Sequence, residues 1–264
     1  MANQRISVRV LAGLMFTSGL AGAAFGQAKP EQLLARQPVI PGVQISTPAT
    51  AAEIAACKVE AREWPAQGNG VSPKGVIVLD GSGRKLRQFI DTEGGTKFNI
   101  VSYFLDGVEA FREVDANRNG KPDSFRWLGA NGGKQGLDRD ENGTVDAWVS
   151  ISAEEVTQEL FAAVQNKDAE RLKALLLSED DLKALKLPQA EEARLRKKAE
   201  QALGKLAKAN ADLKLTAKSK WMHAELTPPH TTPRDALGTP DDLVRHKNVG
   251  VLVDIGEGKT MSYL

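Results

Sequence analysis

The sequence predicts an α+β fold: an N-terminal antiparallel β-meander with acidic loops, then a helical hairpin region followed by short strands. Three observations carry this. Between Val76 and Ser150, runs rich in β-branched and aromatic residues alternate with turns rich in Gly and Asp. A capping box and apolar residues at helical spacing then extend to Leu213. After that, strand-type runs return.

The chain opens on a processing signal. Arg5 and Arg9 form a basic start, and Val10 to Ala24 is a short apolar stretch rich in small residues. Ala24-Phe25-Gly26 and Gly26-Gln27-Ala28 both offer small residues for cleavage. This predicts a signal peptide over residues 1–28, with a mature N-terminus at Gln27 or Lys29. The alternative is an uncleaved anchor, but the stretch is short against the roughly 20 residues of a span. No cysteine lies near the cleavage site, so no lipid anchor is expected. No later segment is expected to cross a membrane. The expected location is the periplasm or the exterior.

Gln27 to Ala56 is rich in Pro, Ala, Thr and Gln, and residues 29–56 read as a linker, with one helical turn over Ala51–Ala56. Residues 57–151 then read as a β-module. Its strands are expected at Val76–Leu79, Lys85–Ile90, Asn99–Leu105, Val108–Val114, Ser124–Leu128 and Val145–Ile151. Asp106-Gly107 between Leu105 and Val108 is a two-residue hairpin signal. The simplest arrangement puts the tight turns at one end and the acidic loops at the other.

Residues 152–264 read as an α+β domain, expected to be truncated. Ser152-Ala153-Glu154-Glu155 is a capping box before Val156, Leu160, Ala163 and Val164. Asn166-Lys167-Asp168 interrupts the helix, and Leu172, Leu175 and Leu176 resume it. Ser178 can cap a further turn. Pro188 opens a helix over Gln189–Asn210, with Leu195, Ala199, Leu203 and Leu206 on one face. Leu213–Ala224 and Val249–Ile255 read as strands, and Gly256-Glu257-Gly258-Lys259 as a hairpin turn into Thr260–Leu264.

The chemistry concentrates in two loops, DANRNGKPD (Asp115 to Asp123) and DRDENGTVD (Asp138 to Asp146). Both fit D-x-[DN]-x-[DN]-G-x-x-D, and their first residues lie 138 − 115 = 23 positions apart. Oxygen-bearing side chains at alternate positions, then a Gly at the sharp bend, can wrap a hard cation. The expected calcium ligands are Asp115, Asn117, Asn119 and Asp123 with the carbonyl of Lys121, then Asp138, Asp140, Asn142 and Asp146 with the carbonyl of Thr144. The pattern resembles an EF-hand loop for nine residues. At position twelve, where a Glu would stand, are Arg126 and Val149. Weak sites of about 10⁻⁴ to 10⁻³ M are therefore expected. The second loop has three Asp ligands against two and should bind more tightly. Arg118 and Lys121 should weaken the first. The competing reading is that Asn119-Gly120 and Asn142-Gly143 are turns that hold no metal. Asp at position nine of each loop argues for metal, because turn chemistry does not require it. A degenerate third copy, Asp91, Glu93, Gly95 and Asn99, lies 115 − 91 = 24 residues upstream and is not expected to bind.

Nothing else points to a reaction centre. The net charge of +1 gives no bias toward nucleic acid, and the basic helix around Arg194, Arg196, Lys197 and Lys198 lacks aromatics for stacking on bases. That face reads as solvated, with an anionic envelope polymer or a membrane surface as the alternative partner. Cys57 is the single cysteine, which excludes an internal disulfide and a C-x-x-C motif. His223, His230 and His246 lack ligand spacing, so no zinc site is expected. Phe125 and Trp148 hold the same place after their loops and read as core residues rather than a ligand platform.

The run YFLDGVEAFREVDANRNGKPDSFRWL, then GLDRDENGTVDAW, then ISAEEVTQELFAAVQNKDAERLKALLL resembles the N-terminal region of large secreted bacterial redoxin-type proteins, which carry a thioredoxin-like domain further along. That domain and its cysteine pair are absent here, so the resemblance carries over no redox residue. Glu154 to Leu177 is similar to the opening helices of NTF2-like cone domains, with Asp168 in the break. The expectation is an exported, non-catalytic, calcium-binding module that contacts a protein or envelope partner. The alternative is the non-catalytic front of an envelope thiol–disulfide protein.

Overall fold

A computed structural model describes residues 28–256 and 259–263, apart from 67, 69, 96 and 130–132. The expected signal peptide lies outside the described residues, except for Ala28. Among the described residues no helix is long and apolar enough to cross a membrane.

Two five-residue helices come first, α1 (Pro30–Leu34) and α2 (Ala51–Ala55). Thr50 caps α2 through a reciprocal bond with Glu53. Eight strands follow: β1 (Lys58–Glu63), β2 (Lys74–Leu79), β3 (Lys85–Asp91), β4 (Ile100–Leu105), β5 (Val108–Val114), β6 (Ser124–Trp127), β7 (Gln135–Leu137) and β8 (Ala147–Ser150). They form one antiparallel sheet in chain order, so the expected meander is present. Asp106 and Gly107 both have positive φ, 51° and 84°, the two-residue turn that suits the twist of β4 and β5. Two of the strands are not among those expected from the sequence. β1 is mostly exposed and charged at the sheet edge, and β7 is three residues long with a central Gly. β1 alternates Val59 and Ala61 with charged residues, but too briefly to stand out, and β7 shows no alternation; pairing to a neighbour is what makes each a strand.

The segment expected as a linker lies on the sheet. Leu33 and Leu34 are buried with Cys57, Val76, Val78, Leu86 and Phe89. Ile40 is buried with Tyr103, Phe111 and Phe125. Two buried charged residues of the sheet hold this strap in place. Glu113, 1% exposed, accepts from Arg36 Nη2 at 2.9 Å and from the Val39 N–H at 2.6 Å. The Tyr103 hydroxyl lies 2.9 Å from Glu113 and 3.2 Å from the Gln37 carbonyl. Burial, reinforced by the Glu113 carboxylate, pushes the Tyr103 hydroxyl well above its usual range. Further along, Arg87 donates to the Ser46 carbonyl at 3.0 Å and to Thr47 Oγ1 at 3.1 Å. A low-periodicity segment can be ordered in this way, because its polar groups are satisfied by the face it crosses.

Helices α3 (Ala153–Asn166), α4 (Ala169–Ala174), α5 (Glu179–Leu185) and α6 (Gln189–Asp212) come next. The Ser152–Glu155 capping box is present, and Lys167 in the left-handed region ends α3. Ser178 caps α5 with Asp181 in the same reciprocal way. On α6 the packed face drifts from the one expected. Leu206 is 5% exposed and Leu203 is 38% exposed. The 3.6-residue period carries the face through Leu206 and Ala209 to Leu213, which leaves Leu203 outside it.

The remaining elements are β9 (Lys220–Glu225), β10 (His230–Thr232), α7 (Arg234–Leu237), β11 (Leu243–Arg245), β12 (Gly250–Gly256) and β13 (Lys259–Tyr263). β12 is central in a three-stranded sheet, with β13 and β9 on either side. The expected strand at Leu213 begins only at Lys220, because Leu213 and Leu215 pack against α3 and β12 instead. β10 and β11 pair as a small separate hairpin within the Pro- and His-rich loop. The whole is α+β, as the sequence predicts.

Candidate metal centre

Antiparallel pairing brings the ends of each acidic loop together. The first loop joins β5 to β6 and the second joins β7 to β8. The Asp123 N–H donates to the Val114 carbonyl at 2.9 Å, and the Asp146 N–H to the Leu137 carbonyl at 2.8 Å. These bonds close the loops and set position nine beside position one. The two loops are also stacked on each other's ladder: the Asp138 N–H donates to the Asp123 carbonyl at 3.0 Å.

Within each loop the first Asp turns inward and gathers backbone donors. Asp115 accepts from the N–H groups of Asn119 at 3.1 Å and Gly120 at 2.7 Å. Asp138 accepts from Asn142 at 3.0 Å and Gly143 at 2.8 Å. Position nine closes the ring in both. Asp123 accepts from the Ala116 N–H at 2.9 Å, and Asp146 from the Arg139 N–H at 2.7 Å. Asn119 Oδ1 accepts from the Lys121 N–H at 2.9 Å, and Asn142 Oδ1 from the Thr144 N–H at 2.8 Å. Position six needs positive φ, 97° at Gly120 and 86° at Gly143, which glycine adopts without a Cβ penalty. Position four is also left-handed, at Arg118 and Glu141. Two loops of different sequence therefore share one backbone path.

Their charge differs. Asp138, Asp140 and Asp146 each place one carboxylate oxygen within 4.8 Å of the others. Asp138 is buried, while Asp140 and Asp146 are exposed. Burial pushes the Asp138 carboxyl above the usual range; bonds from Gly143 and Asn142 oppose this, and the carboxylates of Asp140 and Asp146 add to it. Three converging acidic oxygens can hold a metal ion, and such a group has the hard-oxygen character that suits calcium or magnesium. In the first loop Asn117 and Asn119 occupy the positions of Asp140 and Asn142, so the loop itself has two carboxylates.

Two residues outside the predicted ligand set connect the loops. Glu141, at position four of the second loop, reaches the first. Its carboxylate accepts from Asn117 Nδ2 at 2.7 Å and from Asn119 Nδ2 at 2.7 and 2.8 Å. Those two amides hold the Glu141 carboxyl below its usual range. Arg118, at position four of the first loop, reaches one repeat further back. Its Nη2 lies 2.7 Å from Asp91 Oδ1 and 3.0 Å from the Lys97 carbonyl, and its Nε lies 3.5 Å from Glu93. Asp91 is fully buried, and the Asn99 N–H donates to the Ile90 carbonyl at 2.9 Å, as Asp123 and Asp146 do in their loops. The degenerate copy thus keeps the loop closure and is filled by a guanidinium. Arg118 directs its charge there, not into its own loop as expected from sequence. The readable signal is positional: both residues stand fourth in their repeats.

Compared with family models, with curated proteins and with solved structures, the chain matches none.

Proposed function

We propose that this chain is an exported, non-catalytic calcium-binding module in which the acidic loops brace a β-meander that contacts a protein or envelope partner. The convergence of Asp138, Asp140 and Asp146 on one point, within a loop whose backbone path repeats in the loop before it, supports this reading. Calcium fits better than magnesium. The loops offer carboxylate, amide and carbonyl oxygens along a bendable chain, whereas magnesium demands a rigid octahedron and keeps its waters. On this reading a place beside a redoxin-type domain would also be non-catalytic, since Cys57 is buried.

Calorimetric titration of the chain from Lys29 onward with calcium tests the proposal. Saturable binding near 10⁻⁴ to 10⁻³ M is expected. At ten-fold excess ion over such a Kd the folded state gains about 1.4 kcal/mol. Hydrogen exchange should slow over Val114–Trp148 and change little beyond Glu170. No saturable heat at millimolar calcium, or protection spread evenly over the chain, refutes the reading.

A further inference from the structure

The eight-stranded sheet ends on β1, which pairs with β2 alone. Just beyond β1, the Trp64 N–H donates to the Pro73 carbonyl at 2.9 Å. That bond fixes which backbone groups of the strand face β2. In an antiparallel ladder, residues that bond to the neighbour alternate with residues that point their N–H and C=O the other way. Lys58, Glu60 and Arg62 are in step with Trp64 and bond to β2. Val59, Ala61 and Glu63 turn theirs outward, and among the described residues no backbone group answers them.

A bare edge is a template for another strand, and charged side chains are one way of blunting it. Here the charges alternate in sign. Lys58, Glu60 and Arg62 are exposed and share one face. Among the described residues, the ion pair that this strand makes is Glu63 with Lys74 at 3.9 Å, on the opposite face. The charges of Lys58, Glu60 and Arg62 are therefore open to a partner.

A second copy of the same strand answers this pattern in one register. Two copies that pair antiparallel through their outward groups must set Val59, Ala61 and Glu63 against the same residues of the other copy. With a two-fold axis at Ala61, Val59 meets Glu63 of the second copy, and every outward N–H and C=O of these residues gains a partner. Glu60 then stands opposite Arg62 of the second copy, at a position outside the hydrogen-bonded pairs, where side chains lie closest. The symmetry repeats this pair on the other side of the axis. Moving the axis to Glu60 or to Arg62 sets that residue against its own copy, and like charges directly opposite are unfavourable. Backbone direction and charge thus select the same register.

We propose that β1 is a homodimer interface, in which two copies join edge to edge about a two-fold axis at Ala61 and continue one antiparallel sheet into the other. Both copies use the same edge, so the assembly closes at two. The contact is narrow, so the dimer is of the weak, concentration-dependent kind. This proposal does not depend on calcium in the loops.

Sedimentation equilibrium of the full chain, from micromolar to millimolar concentration, tests it. The mass should rise toward that of two chains as concentration increases, and added salt should weaken the association. Glu60→Arg sets like charges against each other on both sides of the axis and should weaken association about ten-fold. Combining it with Arg62→Glu restores opposite signs and should recover the dimer. Ala61→Pro removes an outward N–H and no bond to β2, at a place on an edge strand where proline is tolerated, and should abolish the dimer. A single-chain mass at every concentration overturns the proposal, as does a dimer undiminished by Ala61→Pro. Loss of the dimer with Ala61→Pro but not with Glu60→Arg overturns the register at Ala61. Should Ala61→Pro fail to fold, Glu60→Arg and its combination with Arg62→Glu decide alone.

Discussion

The Glu141 carboxylate of the second acidic loop lies 2.7 Å from the Asn119 side-chain amide of the first. One loop thereby lends a negative charge to the other, at the place where the first has Asn in both middle positions. If the first loop takes up calcium, Glu141 is positioned beside the neutral ligands. Glu141→Gln should therefore weaken calcium uptake by the first loop several-fold and leave the second unchanged. Titration in an Asp138→Ala background reads the first loop by itself. Identical isotherms with and without Glu141→Gln in that background would rule this out.

The second loop should be the tighter site. More anionic oxygens raise the affinity for a hard dication. Asp138→Ala should remove the stronger phase of the calcium isotherm, and Asp115→Ala the weaker one. Equal losses from the two substitutions would contradict the ranking.

Arg118 should matter for stability without any metal. Its side chain is 20% exposed, and its partner Asp91 is 0% exposed. Removing one partner of such a pair leaves a buried charge uncompensated, which costs about 3 kcal/mol. Arg118→Ala should lower the urea midpoint accordingly, and Arg118→Lys should recover only part, since a single ammonium cannot span Asp91, Glu93 and the Lys97 carbonyl together. An unchanged midpoint would show that solvent compensates Asp91.

Glu113 should hold the strap. Glu113→Ala leaves Arg36 unpaired and the Val39 N–H without its acceptor, and a cost of about 3 kcal/mol is expected. Hydrogen exchange should accelerate first between Leu33 and Thr47. If exchange rises equally in β4 and β5, the strap is not a separate unit of stability.

The Cys57 thiol should react slowly in the folded chain. It is 8% exposed, and its Sγ lies 3.2 Å from the Glu53 carbonyl. Burial pushes its pKa up, and the nearby Asp80 and Glu53 charges push in the same direction. The thiolate is the reactive form, so alkylation should set in at higher pH than for an ordinary cysteine. Unfolding in urea should restore the ordinary pH profile. Equal rates in the folded and unfolded chain would place the thiol at the surface.

Local chemistry was legible in the sequence, because it is decided within a few residues. The Asp106-Gly107 turn, the Ser152–Glu155 capping box, and the Gly at position six of each loop all depend on near neighbours. So does the placing of Asp138, Asp140 and Asp146 around one point: alternation and a tight bend bring them together. The order of strands followed from the same turns, since a short turn can only return the chain antiparallel.

What tertiary structure decided lies at long separation or lacks a periodic signal. Residues 29–56 show no apolar repeat, yet Arg36 and Val39 find Glu113 more than seventy residues away. β7 has a glycine at its centre, and β6 and β8 on either side make it a strand. Arg118 and Glu141 each look like a surface charge within their own loop. Their partners are in the preceding loop, and stacking of the hairpins along the sheet brings them into reach. The sequence by itself determined how each loop bends and which oxygens it gathers, because backbone torsions and short-range hydrogen bonds suffice for that. Only the tertiary structure decided which loop answers which, because that depends on hairpins meeting side by side, and no spacing along the chain encodes a contact that the sheet alone creates.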